Sequence, residues 1–156
     1  MKIILEGADG TGKTTLAKIL ADKYGLDICH CTQHDPSDFN FYKETMRKEN
    51  TVWDRHTIGE LIYPVVFERK ANVTPYEAKA IINVAKSAGV KVFILTCDKD
   101  VLHQRLIERK TEHPKIFNRI DWIDNAFREC AEWMDVPLID TSKMTLNEIF
   151  NLVEAK

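Results

Sequence analysis

No apolar run in this 156-residue chain approaches the ~20 residues needed to span a bilayer, so no membrane-crossing helix is expected. Met1 and Lys2 lead straight into a β-rich stretch, without the apolar run and small-residue cleavage site of a secretory leader. The expected location is cytoplasmic. Charge of one sign is scarce as well. With 22 Lys and Arg against 24 Asp and Glu, the formal net charge is −2, and no global basic field is present to gather polynucleotides or anionic lipid. The four cysteines (Cys29, Cys31, Cys97, Cys130) make no C-x-x-C pair. "CHCTQH" gathers two of them with His30 and His34, but no second pair follows at structural-zinc spacing. In a strand, Cys29 and Cys31 would also face away from His30. Small buried thiols are expected there, and no metal. Repeats, linkers and low-complexity segments are missing too, so residues 1–156 are read as one domain, a length that suits a single core.

What the chain does have is alternation. "KIILE" is a short β-rich run, followed by a glycine loop and a helical stretch from Lys13 to about Tyr24 that stops before Gly25. "LDICHC" reads as a second strand, with a short helix from about Asp38 to Lys48 behind it. "TVWD" is a third strand. Thr57 with Glu60 has the spacing of a capping box, and Ile58, Leu61, Ile62, Val65 and Val66 then form an apolar stripe interrupted by Pro64. Thr74-Pro75-Tyr76-Glu77 opens another helix in the same way. "VKVFILT" is apolar enough for a strand covered on both faces. A helix through Arg109, a helix through "DWIDNAFRECAEWM", the strand "VPLID" and a last helix capped at Thr145 complete the chain. Five strands alternating with helices predict an α/β fold, a five-stranded parallel sheet flanked by helices on both sides.

Gly7-Ala8-Asp9-Gly10-Thr11-Gly12-Lys13-Thr14 matches G-x-x-x-x-G-K-[ST] in full, with a strand before it and a helix after it. Gly7, Gly10 and Gly12 let backbone N–H groups, Thr11 among them, wrap phosphates at a helix N-terminus. Lys13 is expected to reach the β- and γ-phosphates of ATP, Thr14 to ligate Mg²⁺, and Thr15 to complete the loop. Asp9 is the odd member, a carboxylate inside an anion cradle. The loop alone does not separate switch, motor and kinase. "LTCDKD" lacks the Asn-Lys pair of a guanine clamp, and Asp98 there reads as a helix cap. The small size then favours a phosphotransferase.

A second constellation, "VWDRH", ends the third strand with Asp54 and Arg55. A carboxylate at that strand end suits Mg²⁺, and the neighbouring arginine is the bidentate donor expected for an acceptor phosphate. The alternative is a surface ion pair in which Asp54 caps the next helix. With both motifs in view, the chain resembles the thymidylate kinases. "EGADGTGKTT" is similar to their FEGxDGxGKTT loop, and "DRHTIGELIY" to their DR[YH]xxSxxAY motif. Gly59 stands where that family has serine, and no REPGGT-like segment follows the second strand.

The resemblance implies a P-loop nucleoside monophosphate kinase-like three-layer sandwich that moves the ATP γ-phosphate onto a deoxynucleoside monophosphate, dTMP or another. It implies that Arg55 grips the acceptor phosphate and that Tyr63 packs where a ribose 2′-OH would sit. It also implies that Asp9 approaches the acceptor sugar's 3′-OH. Family analogy further suggests a homodimer through the apolar stripe after Asp54.

Arg105 and Arg109 lie four apart on one helical face, and Lys110, Lys115 and Arg119 follow. The segment resembles the arginine-bearing lid of nucleoside monophosphate kinases, and the resemblance implies a small lid around residues 105–119 with Arg105 near the donor base and Arg109 near the transferred phosphoryl group. A solvated basic helix end is the plainer reading. Phe39 and Tyr42 lie after the second strand, where either could stack on the acceptor base or simply pack in the core. The same resemblance implies that "IDTS" approaches the adenine. Trp122 and Trp133 read as core or subunit contacts.

The expected partners are small nucleotides, with no polynucleotide. Three other functions stay open. A deoxynucleoside kinase could use Asp35 or Asp38 as the hydroxyl base. A nucleotide-binding regulator without turnover and a kinase for polynucleotide ends are the other two.

Overall fold

The computed structural model describes residues 1–32, 34–110 and 113–155. Its five strands are β1 (Lys2–Gly7), β2 (Asp27–His30), β3 (Thr51–Asp54), β4 (Lys91–Thr96) and β5 (Leu138–Asp140). They form one parallel sheet in the order β2-β3-β1-β4-β5. The seven helices are α1 (Lys13–Tyr24), α2 (Phe39–Thr45), α3 (Gly59–Val66), α4 (Pro75–Ser87), α5 (Lys99–Arg109), α6 (Pro114–Met134) and α7 (Leu146–Glu154). Alternation along the central strand divides the interior in two. Ile3 and Leu5 join Leu16 and Leu20 of α1 and Ile149 and Val153 of α7. On the other face, Ile4 joins the core made with Ile62 of α3, Ile81 of α4 and Ile123 and Phe127 of α6. This is the three-layer α/β arrangement that the strand–helix alternation predicts.

Local chemistry accounts for most of the boundaries. Gly25, in a left-handed conformation (φ 64°), ends α1 and donates its N–H to the Ala21 carbonyl. Asp38 caps α2 through the Phe41 N–H. Thr74 with Glu77 and Thr145 with Glu148 close both arms of their capping boxes.

The box expected at Thr57 does not form. Thr57 Oγ1 is buried without a partner, and Glu60 turns instead to Arg69 and the Asn72 N–H. The Ile58 N–H at the start of α3 is taken by Glu6 Oε1 of β1, at 2.6 Å. A buried carboxylate from the neighbouring strand has displaced the local cap.

Three further expectations change. The apolar stripe of α3 is used within the chain, where Ile58, Ile62 and Val66 are buried in the same core as α6, while Val65 stays exposed. Most of that stripe is therefore spent inside the chain. The basic segment around residues 105–119 is mainly two helix ends, the last turn of α5 and the first turns of α6. Thr111 and Glu112, at the tip of the expected lid, lie outside the described residues, as does Lys156. Trp122 and Trp133 are 45% and 41% exposed, so neither belongs to the core. Cys29 is half-buried and accepts from Lys48 Nζ at 3.3 Å, whereas Cys31 and Cys97 are buried. Among the described residues no helix is long and apolar enough to cross a membrane.

Candidate active site

The carboxyl ends of β1, β3 and β4 meet where the strand order reverses, which is where open parallel sheets bind their ligands. The glycine loop leaves β1 at that point. Gly7 has φ 137°, and a Cβ on it would collide with the Leu95 carbonyl oxygen of β4, so no other residue fits. Lys13 opens α1 and is 5% exposed. Its Nζ donates to the Ala8 carbonyl at 2.7 Å, in the same loop, and Thr11 Oγ1 shares that acceptor. Burial, together with the Arg55 charge, pushes the Lys13 amine down to about 8 against the pull of Asp9, Asp54 and Glu6. Its charge is held in reserve inside the loop.

Asp54, the last residue of β3, lies beside Leu5 of β1 in the sheet register. Its Oδ2 accepts from Thr14 Oγ1 at 2.6 Å and lies 3.2 Å from His30 Nδ1. Its Oδ1 is buried without a partner. A hydroxyl and a carboxylate with an orphaned oxygen are hard oxygen donors, so this pair fits Mg²⁺. Arg55 follows with φ 76°, a left-handed backbone that is uncommon for a side chain of this size. That turn carries the guanidinium to Asp9, where Nη2 meets Oδ1 at 2.5 Å. The Tyr63 hydroxyl donates to the other Asp9 oxygen at 2.6 Å, and the Arg55 guanidinium carbon lies 5.4 Å from the Tyr63 ring. Burial alone would raise the Asp9 pKa, but Arg55, Lys13 and Tyr63 together hold it below the ordinary carboxylate range. The carboxylate inside the phosphate loop therefore belongs to the Arg55–Tyr63 side of the site.

Two cavities flank this junction. One of about 360 Å³ is lined by Arg55, His56, Tyr63 and Tyr42, and also by Glu60 and Arg69. Tyr42 is 3% exposed, with its ring 4.8 Å from that of His56. Burial pushes the His56 imidazole down to about 3, so the ring is neutral, with Nε2 3.0 Å from Thr45 Oγ1. Phe39 does not line this cavity. As the first residue of α2 it packs against the core, the plainer of its two expected roles. Asp35 and Asp38 are absent from it too, being engaged with Thr32 and the Phe41 N–H.

The other cavity, about 580 Å³, is lined by Gly10, Gly12 and Thr15 together with Arg105, Arg109 and Thr141. Arg105 Nη1 donates to the Gly10 carbonyl at 3.3 Å and to Thr141 Oγ1 at 3.0 Å, while that hydroxyl donates to the Thr11 carbonyl at 2.8 Å. Arg105 therefore fastens the "IDTS" turn onto the phosphate loop.

Sequence reasoning missed Glu6, Glu60 and Arg69. Glu6 stands in a strand among isoleucine and leucine, and that placement of a carboxylate was the available signal. Nothing in the spacing pointed to the Glu60–Arg69 pair.

No protein-family model matches the chain. It is 30% identical to cytidylate kinase 2 of Borreliella burgdorferi over 178 aligned positions, covering 98% of this chain and 93% of that one. The chain belongs to the cytidylate kinase family. As a member of that family it is a P-loop nucleotide kinase. It is also 26% identical to a probable thymidylate kinase of Methanocaldococcus jannaschii, covering 97% of this chain and 92% of the relative. The thymidylate-kinase likeness thus holds at the level of nucleotide kinases, while the relative that reaches 30% is a cytidylate kinase. In fold, this chain is similar to the YorR protein of Bacillus subtilis, crystallised with a phosphorylated GDP. The TM-score is 0.81 with 23% identity, over 98% of this chain and 93% of that one.

Proposed function

We propose that this protein transfers the γ-phosphoryl group of ATP to a cytidine 5′-monophosphate, with dCMP preferred over CMP. The observation that carries the reading is the Asp9–Arg55–Tyr63 cluster. It joins the phosphate loop to a second cavity, so that a donor and an acceptor can meet at Lys13 and Asp54. The cytidylate kinase relatives supply the base.

ATP would lie with its base in the 580 Å³ cavity and its phosphates in the loop. Lys13 would exchange its Ala8 partner for phosphate oxygens, which restores full charge to an amine that burial and the Arg55 charge depress. Thr14 and Asp54 would hold Mg²⁺, which when bound neutralises charge on the triphosphate. Arg55 would orient the acceptor phosphate, and Asp9 would keep Arg55 and Tyr63 in place. An oxygen of the acceptor phosphate, already ionised at neutral pH, attacks the γ-phosphorus. The bond to the β–γ bridging oxygen breaks, and ADP leaves. No strong general base is needed, which agrees with the local engagement of Asp35 and Asp38. Tyr63, fixed against Asp9, would fill the space beside C2′ of the acceptor sugar and favour the deoxy form.

Coupled ADP-release assays with CMP, dCMP, UMP, dTMP, AMP and GMP test the reading, beside the matching nucleosides and a 5′-hydroxyl oligonucleotide. The expected order places dCMP and CMP first. Turnover of nucleosides or oligonucleotides alone would overturn it, and no turnover with any acceptor would point to a regulator.

A further inference from the structure

Glu60 is 5% exposed on α3, and Arg69 lies just beyond that helix. The two form a two-pronged pair, Nη1 to Oε1 at 2.7 Å and Nη2 to Oε2 at 2.8 Å. The inner prong is fully engaged, because Oε1 also accepts from the Asn72 N–H at 3.0 Å and Nη1 also donates to the Lys70 carbonyl at 3.2 Å. At the outer prong, one acceptor position on Oε2 and one N–H on Nη2 remain side by side among the described residues. Both residues line the acceptor cavity, in a wall shared with Arg55 and Tyr63.

We infer that the Glu60–Arg69 pair reads the pyrimidine edge of the acceptor, taking the C4 amino group on Glu60 and the N3 lone pair on Arg69. This rests on the assignment of that cavity to a cytidine nucleotide. Cytosine presents a donor at position 4 and an acceptor at N3, whereas uracil and thymine present the reverse. A carboxylate can only accept and a guanidinium can only donate, so the polarity of the pair is fixed. An amide, by contrast, can be turned end for end to suit either base. With the phosphate held at Arg55 and the sugar at Tyr63, the base cannot reverse its edge. The wrong pyrimidine would therefore set its C4 carbonyl against a carboxylate.

Glu60→Gln tests this, because it keeps the size and an acceptor for Arg69 but removes the fixed polarity. The measurements are kcat/KM and dissociation constants for CMP, UMP and dTMP, with the ATP dissociation constant and melting temperature as controls. The ratio of CMP to UMP is expected to fall about 10- to 100-fold, through gain of UMP as well as loss of CMP. Should Glu60→Gln fail to fold, Arg69→Gln, at a more exposed position, should narrow the same ratio.

A purely structural pair would weaken CMP and UMP equally and leave the ratio intact; that result overturns the inference. A wild-type protein with no preference for cytosine overturns the functional reading beneath it instead, and is recognised before any variant is made.

Discussion

Glu6 gives the sharpest test of how this site is held together. It is 1% exposed, and burial pushes its carboxyl from the ordinary 4.5 up to about 7, in spite of the Ile58 and Gly59 N–H groups and the charges of Lys13 and Arg55. With its folded value above its unfolded one, the folded chain carries the extra proton between pH 4.5 and 7. Stability from this group is therefore greatest in acid and is lost as pH rises through 7. At about 1.4 kcal/mol per pH unit the loss by pH 8 is about 3 kcal/mol.

His56 works in the opposite sense. Burial pushes its imidazole down to about 3, so below pH 6.5 the unfolded chain takes the extra proton, and stability rises with pH in that window. The two largely offset between pH 4.5 and 6.5, which hides Glu6 in the wild-type curve and exposes it in a difference. Glu6→Gln keeps an acceptor for the Ile58 N–H and removes the titration. Its buried amide N–H adds a pH-independent cost of about 1–3 kcal/mol. Measured by urea unfolding at pH 5, 6, 7 and 8, the variant should gain about 3 kcal/mol on the wild type across that range. In melting temperature the relative gain is about 6–12 °C. A difference that stays flat from pH 5 to 8 would refute the reasoning, whatever its sign.

The remaining predictions concern the same junction and its two flanks. A Cβ on Gly59 would lie 3.6 Å from Glu6 Oε2 and 3.5 Å from the Tyr63 ring, ordinary contact in both cases. Glu6 Oε2 is buried without a hydrogen-bond partner among the described residues, so Gly59→Ser should fold and offer it a hydroxyl. Unfolding should show greater stability at pH 8 than at pH 5, by about 1–3 kcal/mol relative to wild type. Arg55→Ala should cost about 10- to 100-fold in acceptor kcat/KM, through both constants, and leave the ATP dissociation constant within about threefold. Equal loss of ATP affinity would place Arg55 on the donor side. Arg105→Ala loosens the Thr141 turn from the loop. Initial-rate kinetics should show an ATP KM raised about 5- to 10-fold, the worth of a net hydrogen bond or two, with acceptor KM unchanged.

Where sequence and structure agree, the signals are local. The Gly12-Lys13-Thr14 run, the Gly25 stop and the capping boxes at Thr74 and Thr145 each depend on neighbours within about four residues, so spacing reveals them. Thr57 with Glu60 carried the same spacing and failed. Glu6, more than fifty residues earlier in the chain, reached the start of α3 first, and Glu60 was drawn to Arg69. Tyr42 and Phe39 were indistinguishable by periodicity, and only packing set Tyr42, itself a core residue, on the cavity wall and left Phe39 half-buried against the core away from it. The basic run after Arg105 is legible as charge pattern, which does not record what a side chain touches. Arg105 touches Gly10 and Thr141.

The amino-acid sequence by itself determined the phosphate loop of this protein. Phosphate binding at a strand–helix junction is backbone chemistry, and backbone chemistry is written in consecutive residues. The polar cluster beside the loop was decided by tertiary structure. Asp9 pairs with Arg55 and Tyr63 from a different strand–helix unit, and Glu60 finds Arg69 across a turn. Asp9, Tyr63 and Glu60 are polar groups removed from water, and each needs a partner wherever the fold supplies one. Which partner it finds depends on the packing of the sheet and helices, not on its place in the chain.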